Sequence, residues 1–367
     1  MKPAFASGRS AAVFALFLVL LIAAPGIAAI LGLVDESKNY PTFTWGIGEF
    51  PWIQDQIFRE TGDIDLVFVG SSHMWTAINT PYVQQRLSAR LHRRAEVVTL
   101  GWNWSGYDAL YSVVSNLLGH RRVRVIVVYD ENLMRVDAPH PMSYRLLQIG
   151  GHPGEFDGLS WPLRLKVYAG AVLGVPRHML SLIRRDRLES PGAWRASGYL
   201  SSLKAADLTK QMGSLRAYKE MDGPGESTPP RSASLRPPNA GDCLICLEGT
   251  PTEAAYSHSD LGPYQLFFAR KFARLCKEHG TTVVAIHLPV SGQEDEKVVT
   301  ERQPWSEILG YPVSLVGIPG EALFGGIPAS KLNGYFYEKD HLNRNGQDLF
   351  TPLVTPSLLK LYEAAAH

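Results

Sequence analysis

The sequence predicts an α/β fold with a central parallel β-sheet, and two observations support this prediction. Short apolar runs rich in β-branched residues alternate with stretches of helical length and periodicity. The runs are continuously apolar, which is typical of parallel strands covered by helices on both faces. Five strands are predicted, at residues 64–69, 95–100, 123–129, 282–288 and 312–318.

The helices between these strands are marked by their ends. Asn79, followed by threonine and proline, predicts the start of a helix that extends to about residue 91. Further helices are predicted over 107–118 and 264–279, each followed at once by glycine, which commonly ends a helix. The C-terminal part, from about 345 to 366, is predicted to be mostly helical.

An apolar segment precedes the α/β pattern. Residues 11–34 carry no charge, and a helix of roughly 20 apolar residues is enough to span a bilayer. Lys2 and Arg9 precede the run and Asp35 and Glu36 follow it, so the positive-inside rule places the rest of the chain outside the cytoplasm. The segment predicts a single-pass anchor in the inner (cytoplasmic) membrane with a periplasmic domain. A cleaved signal peptide is the alternative.

These features predict three parts of the chain. Residues 1–35 form the anchor, 36–62 an aromatic-rich linker that is expected to lie against the domain, and 63–367 the α/β domain. Residues from about 136 to 258 interrupt the alternating pattern and include a stretch rich in Pro, Gly and Ser at 222–242, so they are interpreted as an insertion or cap.

Composition excludes several functional classes. The formal net charge is +1, from 36 basic and 35 acidic residues, so the strong basic excess of a nucleic-acid-binding protein is absent. Only 3 cysteines are present, which is too few for a disulfide-based scaffold.

A segment with candidate catalytic residues follows the first predicted strand. Gly70, Ser71 and Ser72 stand between that strand and a helix. The carboxyl end of such a strand faces the ligand crevice of an open α/β sheet. A serine there can expose its hydroxyl and offer its own backbone N–H to an oxyanion, and Gly70 is expected to permit the tight turn. Ser72 is therefore a candidate nucleophile.

A second such segment lies near the C-terminus, where Glu338 and Asp340 precede His341 and a polar turn with glycine follows. A serine hydroxyl is a weak nucleophile until a base removes its proton. That base is commonly a histidine held in the correct tautomer by a carboxylate. His341 is accordingly the candidate base.

Together the two segments resemble the SGNH/GDSL hydrolase superfamily. The paired features are a strand followed by Gly70-Ser71-Ser72 and a C-terminal His341-Leu342-Asn343 with Gly346. The sequence is most similar to a membrane-anchored branch with GSS in place of GDS, found around surface-polymer and exopolysaccharide acylation systems. The resemblance covers about 64–129 and 264–364. It implies a three-layer, flavodoxin-like sandwich, in addition to the predicted N-terminal transmembrane helix.

The resemblance also implies roles for individual residues. Ser72 corresponds to the nucleophile and His341 to the base. The family places Asp three residues before the histidine, where this chain has Glu338, so Glu338 is favoured as the orienting acid and Asp340 is the alternative. An orienting backbone carbonyl, as in catalytic dyads, is a further possibility.

The oxyanion hole of the family combines backbone N–H groups with an asparagine amide. Besides the N–H of Ser72, the second donor is expected from Gly106, with Gly101 as the alternative. The amide is expected from Asn132 or Asn103, although the usual Gly-x-Asn-Asp block is absent.

Aromatic and histidine side chains flank the predicted pocket. Trp75, Trp102 and Trp104 are candidates for stacking on a sugar, with ordinary packing as the alternative. His73 follows the nucleophile and is expected to pack or hydrogen-bond beside the turn.

The resulting expectation is a serine esterase or acyltransferase. It would act on O-acyl, most simply O-acetyl, groups of an exported or cell-envelope polysaccharide, without a metal or organic cofactor and without nucleic acid. A membrane-bound acyltransferase is a possible partner. The alternative is a catalytically degenerate protein of the same fold that serves as an accessory or binding partner in polysaccharide assembly or export.

Overall fold

A five-stranded, all-parallel β-sheet forms the centre of the fold. The structure is a computed structural model that describes residues 7–31, 33, 36–40, 50–102, 105–130, 139–140, 156–169, 261–301, 304–336 and 341–365. The strands are β1 (Ile64–Gly70), β2 (Val97–Gly101), β3 (Val123–Tyr129), β4 (Thr282–Ile286) and β5 (Ser314–Val316), in the order β2-β1-β3-β4-β5. The predicted α/β class and parallel sheet are thereby confirmed.

Helices connect and cover the strands. They are α1 (Gly8–Ile30), α2 (Phe50–Phe58), α3 (Ser72–Ala77), α4 (Thr80–Leu91), α5 (Tyr107–His120), α6 (Pro263–Glu278), α7 (Trp305–Leu309), α8 (Gly320–Phe324), α9 (Ala329–Leu332) and α10 (Arg344–Ala364). Short 3-10 helices cover Glu36–Asn39 and Asn333–Tyr335, and residues 161–169 are helical.

The sheet has a hydrophobic core on each face. Successive side chains of a strand point to opposite faces. In β1, Val67 and Val69 belong to a core that includes residues of α2, α5 and α6. Leu66 and Phe68 belong to a second core that includes residues of α4 and α10. The arrangement is therefore compatible with a three-layer sandwich.

The segment predicted as a linker contributes to the first core. Tyr40 and the α2 residues Phe50, Ile53 and Ile57 are fully buried. The indole N–H of Trp52 donates to the backbone oxygen of Thr99 in β2 at 3.0 Å. The apolar side chains of this segment therefore pack against the domain, as expected, and residues 50–58 form a helix that the sequence did not predict.

The first predicted part of the chain is the membrane anchor. No helix in the part of the chain that the structure describes is both long and apolar enough to cross a membrane, so the predicted transmembrane helix is not supported.

Most of the predicted insertion lies outside the described residues. Within 156–169, Leu159 and Val167 are buried in the same core as α6.

The strand order defines where a ligand would bind. From β1 the chain passes to the edge strand β2 and then returns across β1 to β3. The connections that follow β1 and β3 therefore leave in opposite directions along the sheet. Such a switch point opens a crevice at the carboxyl ends of the two strands, which is the usual ligand site in open α/β sheets.

Candidate active site

Ser72 lies at this switch point. β1 ends at Gly70, Ser71 is the N-cap of α3, and Ser72 is the first residue of that helix. The hydroxyl of Ser72 is partly buried. The backbone N–H of Ser72 is one of the first-turn N–H groups that have no hydrogen-bond partner within the helix. Gly70 does not adopt a positive φ, so the turn does not depend on the conformational freedom that the sequence interpretation assigned to it.

His341 is held by a compact structure between a short bridge and α10. Leu342 pairs with Phe336 in an isolated antiparallel bridge, and the Leu342 side chain is buried. Asn343 caps α10, because its side-chain oxygen accepts from the N–H groups of Asn345 and Gly346 at 2.9 and 3.2 Å. The sequence after His341 thus fixes the backbone on which the imidazole is mounted.

Gly346 is required sterically in this turn. A Cβ at that position would lie 2.4 Å from the backbone oxygen of Tyr335. Asn343 also donates its amide to the oxygens of Gly334 and Phe336, at 2.8 and 3.1 Å. The His-Leu-Asn-x-x-Gly pattern is therefore explained by a buried anchor, a helix cap and a close backbone approach.

The structure brings the predicted nucleophile and base together. Ser72 Oγ lies 2.8 Å from His341 Nε2, within the range of a hydrogen bond between a hydroxyl and an imidazole. In the tautomer with the proton on Nδ1, Nε2 accepts the serine proton. This is the geometry that a general base needs to activate a serine.

Buried hydrogen bonds fix α10 against α3 and so fix the distance between the two side chains. The amide of Gln347 donates to the backbone oxygens of Thr76 and Ile78, at 3.0 and 3.3 Å. Thr351 donates its hydroxyl to the oxygen of Ala77 at 3.1 Å. Gln347 and Thr351 are fully buried, so these bonds are shielded from water.

His73 stacks on the candidate base. The imidazoles of His73 and His341 have centroids 4.1 Å apart and planes inclined by only 11°. His73 Nδ1 is 3.3 Å from Ser71 Oγ, and its ring lies 5.3 Å from that of Tyr129. The sequence indicated packing beside the turn. It gave no sign that the packing partner is His341, which is distant in the chain.

Several predicted site residues lie outside the described residues. They are Glu338, Asp340, Asn103, Asn132 and Trp104. The choice between Glu338 and Asp340 as orienting acid, and the assignment of an asparagine to the oxyanion hole, therefore stay predictions.

Gly106 is better placed than Gly101 to serve the crevice. Gly106 is the N-cap of α5 and lines a cavity of about 30 Å³ beside Gly70 and Ser71. A Cβ on Gly106 would lie 2.6 Å from Asp108 Oδ1, so a side chain does not fit. Gly101 belongs to β2, where it pairs with Gly70.

Two of the predicted sugar-stacking residues are buried. Trp75 has no exposed surface and Trp102 has 1% exposed. Neither ring presents a free face on which a sugar could stack, and the stacking role predicted for them is corrected to packing. Trp102 nevertheless lines the cavity next to Ser71.

The sequence did not predict the residues around Trp305. Trp305 lines the cavity and donates its indole N–H to Asp130 Oδ1 at 2.8 Å. Glu301 Oε1 accepts from the backbone N–H of Trp305 at 2.9 Å. Asp130 follows β3 directly, so its position at a strand end was a signal in the sequence. Trp305 offered none.

The environment of Glu301 changes its acidity. Burial raises the pKa of this carboxyl to about 7. The hydrogen bond from the Trp305 N–H opposes the rise, and the charge of Asp130 adds to it. Near neutral pH, Glu301 is therefore distributed between its neutral and ionised forms.

Comparison with known proteins adds no relative. No family model, no curated protein and no solved structure matches the chain.

Proposed function

We propose that this protein is a serine-dependent acyl-transfer enzyme with Ser72 as nucleophile and His341 as general base. The observation that carries the proposal is the 2.8 Å contact between Ser72 Oγ and His341 Nε2 at the switch point of a parallel sheet. The two residues are 269 positions apart in the chain. Their meeting at a crevice supports a chemical role over incidental packing.

The proposed reaction has two steps. Ser72 Oγ bonds to the acyl carbon of an ester while its proton passes to His341 Nε2. The tetrahedral intermediate collapses, the bond to the leaving alcohol breaks, and His341 returns the proton to that alcohol. Water or a sugar hydroxyl then attacks the acyl carbon and loses its proton to His341; the bond from that carbon to Ser72 Oγ breaks, and His341 returns the proton to Ser72. The backbone N–H groups of Ser72 and Gly106 are the proposed donors to the oxyanion.

The proposed family is the SGNH/GDSL superfamily. Support comes from Gly70-Ser71-Ser72 after β1, from His341-Leu342-Asn343 before α10, and from the strand order 2-1-3-4-5, which is that of flavodoxin-like sheets. The substrate proposed from this resemblance is an O-acetylated exported or cell-envelope polysaccharide, with a membrane-bound acyltransferase as possible partner.

The proposed location is the periplasmic side of the inner membrane. It is supported by the uncharged segment 11–34 and the charges that flank it, and by exposed apolar side chains of α1 such as Val13 and Phe17. The test is fractionation of cells that express the full chain or a chain without residues 1–35. Recovery of the full chain in the soluble cytoplasmic fraction would rule this location out.

Ester turnover tests the proposed activity. The wild-type protein is expected to hydrolyse p-nitrophenyl acetate, and Ser72→Ala is expected to lose at least about 1,000-fold in kcat, since a triad nucleophile contributes that much or more in serine hydrolases. Ser330→Ala, which changes an exposed serine outside the cavity lining, is the control and retains turnover. Folded wild-type protein without esterase or transferase activity would favour the alternative of a non-catalytic accessory protein.

A further inference from the structure

The cavity next to Ser71 is small, partly open, and lined by residues from five parts of the fold, including Val128 and Tyr129 of β3. Its volume is about 30 Å³. Gly70 and Ser71 contribute from the end of β1, Gly106 from the start of α5, and Trp102 and Trp305 from two further segments. Ser71, which directly precedes the nucleophile in the chain, and Gly106, a proposed oxyanion donor, both line the cavity, whereas Ser72 and His341 are outside its lining.

Trp305 forms a rigid wall of this cavity. Its side chain is fully buried, and both of its N–H groups are bound, the indole by Asp130 at 2.8 Å and the backbone by Glu301 at 2.9 Å. Its ring also meets that of Tyr107 edge-on, with centroids 5.7 Å apart. The indole therefore cannot turn aside to admit a larger group without breaking a buried hydrogen bond.

Trp102 contributes a polar feature to the cavity. Its backbone N–H is bound to the oxygen of Gly70 at 3.1 Å, which fixes its position. Its indole N–H is buried and has no hydrogen-bond partner among the residues that the structure describes. A buried donor without an acceptor is uncommon, and an oxygen of a ligand or a water molecule in the cavity would satisfy it.

We infer that this cavity is the acyl subsite and that Trp305 limits it to an acetyl group, an inference that rests on the proposed function. A site of roughly 10–15 Å³ holds one water molecule on the same scale, so the cavity holds about two non-hydrogen groups. The methyl and carbonyl groups of an acetyl chain fill that space. A butyryl chain exceeds it.

The subsite holds the acyl group through both steps of the reaction. As Ser72 Oγ bonds to the acetyl carbon and the bond to the leaving alcohol breaks, the methyl group stays against Trp305. The second alcohol or water then approaches from the side where the leaving group departed. The chain-length limit is therefore independent of whether the final acceptor is water or a sugar.

Chain-length profiles test the inference. The kcat/KM values for p-nitrophenyl acetate, butyrate and hexanoate are measured for wild type, Trp305→Leu and Leu110→Ala, since Leu110 also lines the cavity. Wild type is expected to favour acetate over butyrate by at least about tenfold, and each enlarged variant to reduce that ratio by about tenfold.

Two variants serve as matched controls. Leu118→Ala removes a buried leucine from the same helix as Leu110, away from the cavity lining, and Trp161→Leu removes an exposed tryptophan. Both keep the wild-type ratio. Circular dichroism establishes which variants are folded, and Leu110→Ala keeps the test informative if Trp305→Leu does not fold.

The outcomes separate the two proposals. An unchanged ratio in folded enlarged variants, or wild-type turnover of butyrate as fast as acetate, overturns the acyl subsite while Ser72-dependent turnover keeps the proposed function. No turnover of any ester by folded wild type overturns the proposed function and the subsite with it.

Discussion

His73 and His341 are stacked face to face, with ring centroids 4.1 Å apart and planes 11° from parallel. His341 also contacts Ser72 Oγ at 2.8 Å. The imidazole of His341 thus has the ring of His73 against its face and the hydroxyl of Ser72 at its edge. The stack restricts rotation of His341 about its side-chain bonds and keeps Nε2 directed at the hydroxyl.

The stack leads to a prediction for His73. His73→Ala removes the supporting ring and is expected to lower kcat by about 10- to 100-fold, because small misplacements of a catalytic group have effects of that size. His73→Phe restores a flat ring and is expected to recover most of the loss. Steady-state kinetics on p-nitrophenyl acetate measures both. Equal activity of the Ala and Phe variants would show that stacking does not position the base.

A change at Gln347 is predicted to lower both the free energy of unfolding and the rate of turnover. Its buried amide bridges α10 to two carbonyl oxygens after Ser72. Gln347→Leu leaves these acceptors unpaired and is expected to lower the free energy of unfolding by about 1–3 kcal/mol. Because the bridge fixes the helix that begins after His341, the folded variant also loses turnover. Denaturant unfolding and ester kinetics are the measurements.

The control for Gln347 is on the exposed side of the same helix. Asp348→Asn breaks an ion pair with Arg344, which is 45% exposed, and such surface pairs contribute about 0–1 kcal/mol. Little change in stability or rate is expected. If Asp348→Asn were as damaging as Gln347→Leu, the bridge would have no special role.

Two glycines of the α5 region provide a further comparison. Gly106→Ala places a Cβ 2.6 Å from Asp108 Oδ1 and 2.9 Å from His140 Cβ, so a shift of the helix start and a fall in both Tm and kcat are expected. A Cβ at Gly119, in the last turn of α5, would have no atom within 4 Å. Gly119→Ala is therefore expected to raise the free energy of unfolding by about 0.4–1 kcal/mol. Thermal unfolding and turnover of both variants test this. Normal Tm and turnover of Gly106→Ala would show that these close contacts do not constrain the start of α5.

Glu301 is predicted to make stability depend on pH. Its pKa rises from 4.5 in the unfolded chain to about 7 in the folded protein. Between these values the unfolded chain has released the proton while the folded protein retains it, so stability falls as pH rises and the loss is complete above the folded pKa. Glu301→Gln keeps an acceptor for the Trp305 N–H and removes the titration.

Thermal unfolding at about pH 5 and about pH 8 measures the effect. The full shift corresponds to about 2.5 kcal/mol between the two pH values. Because Glu301 is partly exposed, solvent screening reduces the expected extra loss in the free energy of unfolding of wild type, relative to Glu301→Gln, to about 1 kcal/mol, or about 2–4 °C in Tm for a domain of this size. An identical pH response in the two proteins would show that Glu301 is not the titrating group.

The sequence was most informative where structure is local. Residues 123–129 were predicted as a strand with the bounds that the structure gives, because a continuous apolar run between helices has few alternatives. β2 begins two residues later than predicted. The backbone N–H of Ala95 binds Ser88 Oγ at 2.9 Å, and the Ala95 oxygen accepts from Gln84, so Ala95 is tied to α4.

The helix α2 was missed although its signal was present. Phe50, Ile53 and Ile57 stand at helical spacing, and proline occupies the second position of the helix. The aromatic content of the segment indicates that it lies against the domain. Which of its side chains become buried depends on tertiary packing, which no local pattern shows.

The site was only partly predictable for the same reason. Ser72 and His341 could be paired because each stands in a distinctive motif. The contact of Trp305 with Asp130 joins residues 175 positions apart, and the stacking of His73 on His341 joins segments that are even further apart in the chain. Such contacts depend on how helices dock on the sheet, which is decided by packing across the whole core.

Site mapping of a serine-directed fluorophosphonate probe tests the central claim most directly. The probe reacts with a serine hydroxyl that a base has activated, so the account predicts labelling of the wild-type protein on the peptide that contains Ser72. Ser71→Ala is labelled on the same residue, while Ser72→Ala is unlabelled and His341→Ala is labelled far more slowly. Absence of labelling on folded wild-type protein, or labelling at Ser71 instead of Ser72, would contradict the account.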